Sequence, residues 1–479
     1  MRNSAFLLFV VIFGSPNCGA QWTLLGEPMF SSNDVSFVSI DLDQSTGIPY
    51  VVYKESGLDG HLYCKKFVGG VWVDVGGIIS DSVAGEIDLY CEFKINPVTN
   101  EPYVVYDQLF FSVPDSIIVK KFDGAGWVQV GNGIYGHLQS SIAFDPETGT
   151  PFLAERIIGD FYNVYPDTVE AFEYLFKYDS LANFWQPWAN LELGTDNESS
   201  SMIINNAGDI YVSKEYEPLM SQIFQAHVAD NTCALVSMNP FTGVTVERKN
   251  SELAYYEQDT ALYGVLQRFD MGLPLLYTIE VVKIKDGTVY GVSGYAGDTL
   301  DIFHGGMAPS IEYNGFTNEL WLSYLSTDPD NYGIVVRRWN GTSWELTADP
   351  YNSPELEYFD YKIDREKLAF DNTTGQAYVV FRHNNQASVI TLGTTGIEEN
   401  NVATNVSIFP NPSCGSFKIL AKSKIEYISI FSDSGQNVLN QWPGSFQTQI
   451  DLPNSGVYFV NFQLQDGSTA TEKLVVIGQ

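Results

Sequence analysis

A strand–turn–strand unit recurs along this chain, and an internal repeat restricts the available folds more than any single motif does. Ile40-Asp41-Leu42-Asp43-Gln44-Ser45-Thr46-Gly47 leads into Ile48-Pro49-Tyr50-Val51-Val52-Tyr53. The same pattern returns at Phe93 to Tyr106, at Ile142 to Leu153 and at Leu368 to Phe381. Weaker copies centre on Gly208, Gly272 and Asn318, which makes seven units in the 479 residues. Their spacing of roughly 45–65 residues is that of propeller blades. Apolar residues alternate with period two on both arms. The Thr-Gly or Thr-Asn pair supplies a turn residue that tolerates positive φ.

A second hairpin follows in the clear copies. It runs from Leu62 to Gly76, from Ile117 to Gly131 and from Val335 to Trp344, each time with a Trp on its last strand. Each unit therefore reads as four strands, one blade. The final copy stops at Gly393 without a Trp strand, whereas Trp22-Thr23-Leu24-Leu25-Gly26 is an orphan copy of that strand. If the orphan completes the last unit, the array closes and leaves no unpaired edge. The expectation is an all-β chain: a seven-bladed β-propeller over residues 21–395, with six or eight blades as alternatives, then a small Ig-like β-sandwich. Val244 to Tyr263 fits the template poorly. The repeated Asp, Thr-Gly and Trp positions read as turn and packing residues, because an active site is needed once and not in every blade.

Composition sets outer limits. Hydrophobic residues form 44% and charged residues 17%, which excludes general disorder. The formal charge of −33, from 25 basic and 58 acidic residues, excludes a polyanion such as DNA as partner. Arg2, the apolar run Ala5 to Gly14 and Cys18-Gly19-Ala20 form a secretory signal pattern over residues 1–20. No later segment is apolar enough to suggest a transmembrane helix in the mature chain. The remaining cysteines, Cys64, Cys91, Cys233 and Cys414, have no metal spacing and read as small buried hydrophobes.

After Gly396, Ile397-Glu398-Glu399-Asn400-Asn401 reads as a polar linker over residues 396–401, and residues 402–479 form a separate module. From Val402 onward there are four Lys and five acidic residues, so nearly all the negative charge lies on the repeat region. Short alternating strands are expected at Val406 to Phe409, Ser416 to Leu420, Tyr427 to Ser432, Phe446 to Ile450, Val457 to Leu464 and Thr471 to Ile477.

Phe409-Pro410-Asn411-Pro412-Ser413, Gly415-Ser416-Phe417, Asp433-Ser434-Gly435, Leu452-Pro453-Asn454-Ser455-Gly456-Val457-Tyr458 and Lys473-Leu474-Val475-Val476 stand in order at the C-terminus. In that order they resemble the type A sorting domain of the Bacteroidetes type IX secretion system. Pro410, Asn411, Pro412, Gly415, Gly435, Gly456, Tyr458 and Lys473 carry the likeness. The resemblance implies passage through the periplasm and across the outer membrane. It implies recognition by the translocon and a sortase-like machinery, and delivery to the cell surface or the medium. The chain lacks the second basic residue often found at the end of that family's closing strand.

No metalloprotease, hydrolase-elbow, phosphate-loop or dinucleotide motif is present. The five histidines share no ligand spacing, so no metal site is expected. Asp41 to Gly47 faintly resembles a calcium loop but lacks its full ligand spacing; calcium is the one cofactor left open, and otherwise none is expected. Charged residues that differ from unit to unit stand just after successive second strands, where the following loops gather on one face: Lys54, Asp107, Arg156, Glu215 and Arg382. Differing charges around one end suit an asymmetric ligand site. The longest following loop adds Tyr162 and Tyr165, rings able to stack on sugars or peptides. These readings favour an exported module that binds a glycan or a protein without turnover. A polysaccharide hydrolase or lyase with carboxylates at the propeller mouth is one rival. A structural surface protein is the other.

Overall fold

The computed structural model describes residues 20–476 except 57–59, 81–85, 110–115, 136–139, 159–170, 194–196, 217–219, 239–246, 271–275, 292–300, 305, 327–331, 354–367, 394–405, 410–412, 414, 433–435 and 466–468. Two compact units divide between Thr394 and Thr395. Among the described residues every regular element is a strand, and no helix is long and apolar enough to cross a membrane.

Among its described residues the first unit contains seven antiparallel sheets, each built on a path of four strands. The inner strand of each is Val35–Asp43, Glu86–Ile95, Ser141–Phe144, Asn197–Ile204, Glu247–Tyr256, Gly306–Asn314 or Leu368–Phe370. Each inner strand touches the inner strand of the next sheet, and the last touches the first. Apolar residues on facing sheets form the core. Phe37, Val52 and Cys64 of the first sheet pack with Phe93, Val104 and Tyr106 of the second. Cys64 and Cys91 are buried, and burial pushes the Cys64 thiol up. This all-β architecture of four-stranded antiparallel sheets is consistent with a propeller.

Side-chain chemistry explains the repeated turn. Asp371 Oδ1 accepts from the backbone N–H and the hydroxyl of Thr373, and its Oδ2 accepts from Thr374 Oγ1. Asn96, Asp145, Asn205 and Asn314 cap their turns in the same way. The closing residue of all seven inner hairpins has positive φ: Gly47, Asn100, Gly149, Gly208, Thr260, Asn318 and Gly375. At Gly149 a Cβ would also meet Asn96 Oδ1 at 2.8 Å, so this turn seats against the one before it.

Tryptophans tie the outer strands together. Trp72 Nε1 donates to Leu25 O (3.0 Å), Trp127 Nε1 to Val75 O (2.9 Å) and Trp185 Nε1 to Val130 O (2.8 Å). The residue after each acceptor is Gly26, Gly76 or Gly131, at positive φ, where a Cβ would strike an aromatic ring of the next sheet. The Trp-Val-x-Val-Gly pattern is therefore an inter-sheet lock.

The orphan strand pairs as its sequence implies. Gln21–Leu24 runs antiparallel to Gln386–Gly393, with Gln21 opposite Gly393 and Trp22 opposite Leu392. Leu25 N and Phe30 N extend the ladder to Val389 O and Ala387 O. Trp22 is buried, and its Nε1 donates to Thr347 Oγ1 of the preceding sheet.

The fifth unit departs from the expected phase. Its inner hairpin turns at Glu257 to Thr260, between Glu247–Tyr256 and Ala261–Asp270, and not at Gly272. Gly272 lies between the second and third strands of that sheet, outside the described residues. Thr260 takes the positive φ that glycine or asparagine takes elsewhere, which hid the turn.

The second unit has its own core, centred on Phe417, Ile428, Ile430, Val460 and Phe462. The expected strands at 416–420 and 427–432 are one continuous strand, Ser416–Ser432. Ala421-Lys422-Ser423-Lys424 contains no Gly, Pro, Asn or Asp to break it, so the strand runs on, with an irregularity between Ile425 and Tyr427 that shifts the buried positions from Phe417, Ile419 and Ile425 to Ile428 and Ile430. The first half of this strand pairs with Val406–Phe409 and Ser445–Asp451. Its second half pairs with Asn437–Gln441, which the sequence reading missed, and with Gly456–Leu464. Thr469–Val476 completes the sheet.

Candidate functional site

Lys54, Asp107, Arg156, Glu215 and Arg382 lie within the second strands Ile48–Glu55, Pro102–Leu109, Pro151–Ile158, Asp209–Tyr216 and Ala377–His383, near their ends, and not just after them, because the strands run on past the apolar alternation. The fold thus brings them to equivalent positions. Gln267 on Ala261–Asp270 holds the corresponding place in the fifth sheet, and the misplaced turn hid it. Arg156 and Glu215 are opposite Glu173 and Ser221 in the backbone register. Tyr162 and Tyr165 lie outside the described residues.

Three of these side chains reach the beginning of the next sheet's inner strand. Asp107 Oδ1 is 3.3 Å from Ser140 Oγ. Gln267 Oε1 accepts from Ala308 N at 2.5 Å, and Arg382 Nη1 donates to Val35 O at 3.5 Å. Lys54 is buried. The same positions therefore couple neighbouring sheets as well as marking one end of the unit.

A buried polar cluster at this end joins the second and third sheets. Ser140 Oγ donates to Glu155 Oε2 at 2.5 Å and also approaches Asp107. Asp107, Ser140 and Glu155 are all buried, at 0%, 6% and 3% exposure. Two carboxylates and a hydroxyl at this spacing have the composition of an acid–base pair, but their burial closes them to a polymeric substrate. At the last sheet, His383 is buried, contacts the Phe381 ring and places Nε2 2.9 Å from Ser353 Oγ.

Acidic side chains deeper along the inner strands serve the fold. Asp41 Oδ2 accepts from Ile95 N, Glu92 Oε2 from Ile142 N and Glu252 Oε2 from Ile311 N. Each bridge runs to the next sheet's inner strand, satisfying a backbone donor that no ladder reaches. Among the described residues no group of three or more His, Cys, Asp or Glu could hold a metal ion. The Asp43 carboxylate of the calcium-like segment accepts from Ser45 N and Ser45 Oγ. Partial burial acts to raise its pKa, but the turn's hydrogen bonds outweigh that and hold it below the usual range.

In the second unit, Gly415 has positive φ and receives Leu452 N on its carbonyl, while Tyr458 Oη donates to Asn454 O. Gly456 opens Gly456–Leu464, and Lys473 lies opposite Phe459. Pro410, Asn411, Pro412 and Gly435 lie outside the described residues.

Comparison with known proteins separates the two units. No curated protein matches the chain in sequence. The chain is similar in structure to a puromycin-hydrolysing peptidase of Mycobacterium tuberculosis, at 12% identity and TM-score 0.46, over 83% of this chain and 61% of that one. It is similar to a protein of unknown function from Dyadobacter fermentans, at 9% identity and TM-score 0.41, over 78% and 100%. It is also similar to PorZ, a surface component of the type IX secretion system of Porphyromonas gingivalis, at 11% identity and TM-score 0.31, over 92% and 70%. Residues 407–477 match the secretion system C-terminal sorting domain, the segment whose motifs and strands are described above. The chain therefore carries a type IX secretion C-terminal sorting domain, which implies export to the cell surface or the medium, behind an all-β repeat unit of unassigned family.

Proposed function

We propose that the chain is an exported recognition protein of the cell surface or medium. Its first unit is a seven-bladed β-propeller that binds a glycan or a protein, and its second is an Ig-like sorting sandwich. The sorting domain on residues 407–477 is the observation that carries the export reading. Residues 1–20 act as the leader for the periplasmic step, and the type IX translocon and its sortase-like machinery handle the tail. The cycle of inner-strand contacts and the pairing of Gln21–Leu24 with Gln386–Gly393 support the blade count. The binding end is the one where the second strands finish, with Lys54, Arg156, Glu215 and Arg382 in equivalent positions. Binding without turnover is favoured because the Asp107–Glu155 carboxylate pair is buried.

The test has two arms. Deleting residues 407–477 should leave the protein in the periplasm; unchanged surface display or release would refute the export reading. The purified mature chain should show saturable binding on a glycan and protein array with no product formed. Turnover would establish the hydrolase alternative, and inertness toward every probe the structural one.

A further inference from the structure

The fifth sheet of the first unit is held differently from its neighbours. No tryptophan stands between Trp188 and Trp321, so the fourth and fifth sheets have no indole to donate to the sheet before them. Trp344 of the sixth sheet shares an apolar cluster with Ile279 and Val281 of the fifth. It is 8% exposed, and its Nε1, unlike those of Trp72, Trp127 and Trp185, has no hydrogen-bond partner among the described residues. The outer edge of this sheet comes in two described pieces, Thr288–Gly291 and Asp301–His304, both paired with Leu276–Lys285.

Its inner turn is also built differently. The bond that closes it, from Thr260 N to Glu257 O, is 3.4 Å long, against 2.7 Å at Gly375 and 2.8 Å at Gly149. Thr260 is a β-branched residue at φ +51°, a conformation that costs energy and persists only where its surroundings impose it. Those surroundings are borrowed from the second and third strands. Tyr263 Oη and Lys283 Nζ donate to Asp259 Oδ2, and Lys285 Nζ donates to Asp259 O. Asp259 Oδ1 is buried without a partner among the described residues. A strained φ and buried polar atoms left unpaired all favour a more open form of this sheet. The inner strand Glu247–Tyr256 stays bridged to the sixth sheet, where Glu252 Oε2 accepts from Ile311 N. We infer that the turn and outer strands of the fifth sheet form a sprung latch. Release of Lys283 and Lys285 from Asp259 lets Thr260 leave positive φ and loosens the outer strands, while the inner strand keeps its place. The latch belongs to the fold and does not rest on what the unit binds.

Hydrogen–deuterium exchange of the full mature chain tests it. Amides of Leu276–Lys285 and Thr288–Gly291 should exchange about tenfold faster than those of Leu62–Val68 and Val71–Ile78, the matching strands of the first sheet. Thr260→Asn brings in the residue that already takes positive φ at Asn100 and Asn318. It should slow exchange in the fifth sheet about threefold and leave the first sheet unchanged. Lys283→Met should speed exchange in the fifth sheet alone. Outer strands of the fifth sheet that exchange no faster than those of the first would overturn the inference. An unaltered rate in Thr260→Asn would do the same, because the strain would then not drive opening. Protection lost from Glu247–Tyr256 together with the outer strands would mean that the whole sheet leaves its place, and that too would overturn it.

Discussion

Lys94 Nζ lies 3.9 Å from Glu312 Oε1, although the two residues stand on inner strands that do not adjoin in the cycle of contacts. Each sits two positions before its turn-capping asparagine, Asn96 or Asn314, and Asp41 holds the matching place before Asp43. The pair therefore reaches across the centre of the first unit. A double-mutant cycle with Lys94→Met and Glu312→Gln should give a coupling of no more than about 1 kcal/mol, since both groups are partly exposed. It should shrink in high salt. Strict additivity in urea unfolding would show that the pair contributes nothing.

The tryptophan locks predict an asymmetry between two small substitutions. In Gly131→Ala the new Cβ would meet Trp185 Cδ1 at 2.6 Å, on a backbone at φ +73°. A loss of about 1–3 kcal/mol is expected. Trp185→Phe keeps a ring but removes the bond to Val130 O, a loss of about 1 kcal/mol plus the volume change. Chemical denaturation checks both, and an undiminished Gly131→Ala midpoint would contradict the lock.

Closure by Gln21–Leu24 makes Trp22 a core residue despite its place at the start of the described chain. Trp22→Ala should cost about 3–5 kcal/mol. Removing residues 21–24 should expose Gln386–Gly393 to limited proteolysis ahead of the other sheets. Equal protection of that strand in the shortened chain would argue against closure.

Acid should loosen the inner turns first. Burial of Asp371 acts to raise its pKa, but hydrogen bonds from Thr373 and Thr374 overcome this and hold it low, as at Asp43. Such a group binds its proton more weakly in the fold than in the unfolded chain. Its stabilisation is complete above the ordinary carboxylate value and disappears as pH falls through the lower folded value. Asp371→Asn should flatten the stability profile below about pH 4 while changing it little in shape near neutrality. An unchanged acid limb would rule Asp371 out as a contributor.

Much of this architecture was readable where local chemistry repeats. Asp or Asn opening a turn, Gly or Asn closing it, and Trp on the outer strand are each set by a backbone demand that recurs. Thr260 broke the reading because tertiary context imposed positive φ on a residue that does not advertise it. Strand Asn437–Gln441 escaped because its apolar residues are few and its face is polar. The second-strand charges recur in register from sheet to sheet, but they lie inside their strands and not just after them. Their reach to Ser140, Ala308 and Val35 depends on which sheet follows in space, and spacing alone does not give that.

The opposition of Gln21 and Gly393 also has a mechanical meaning. Gln386–Gly393 is flanked on one side by Ala377–His383 and on the other by Gln21–Leu24. Tension drawn along this strand from its C-terminal end loads two ladders at once in shear, instead of peeling bonds singly from a free margin. A cell that tethered the protein through its tail would be pulling on a doubly clamped strand.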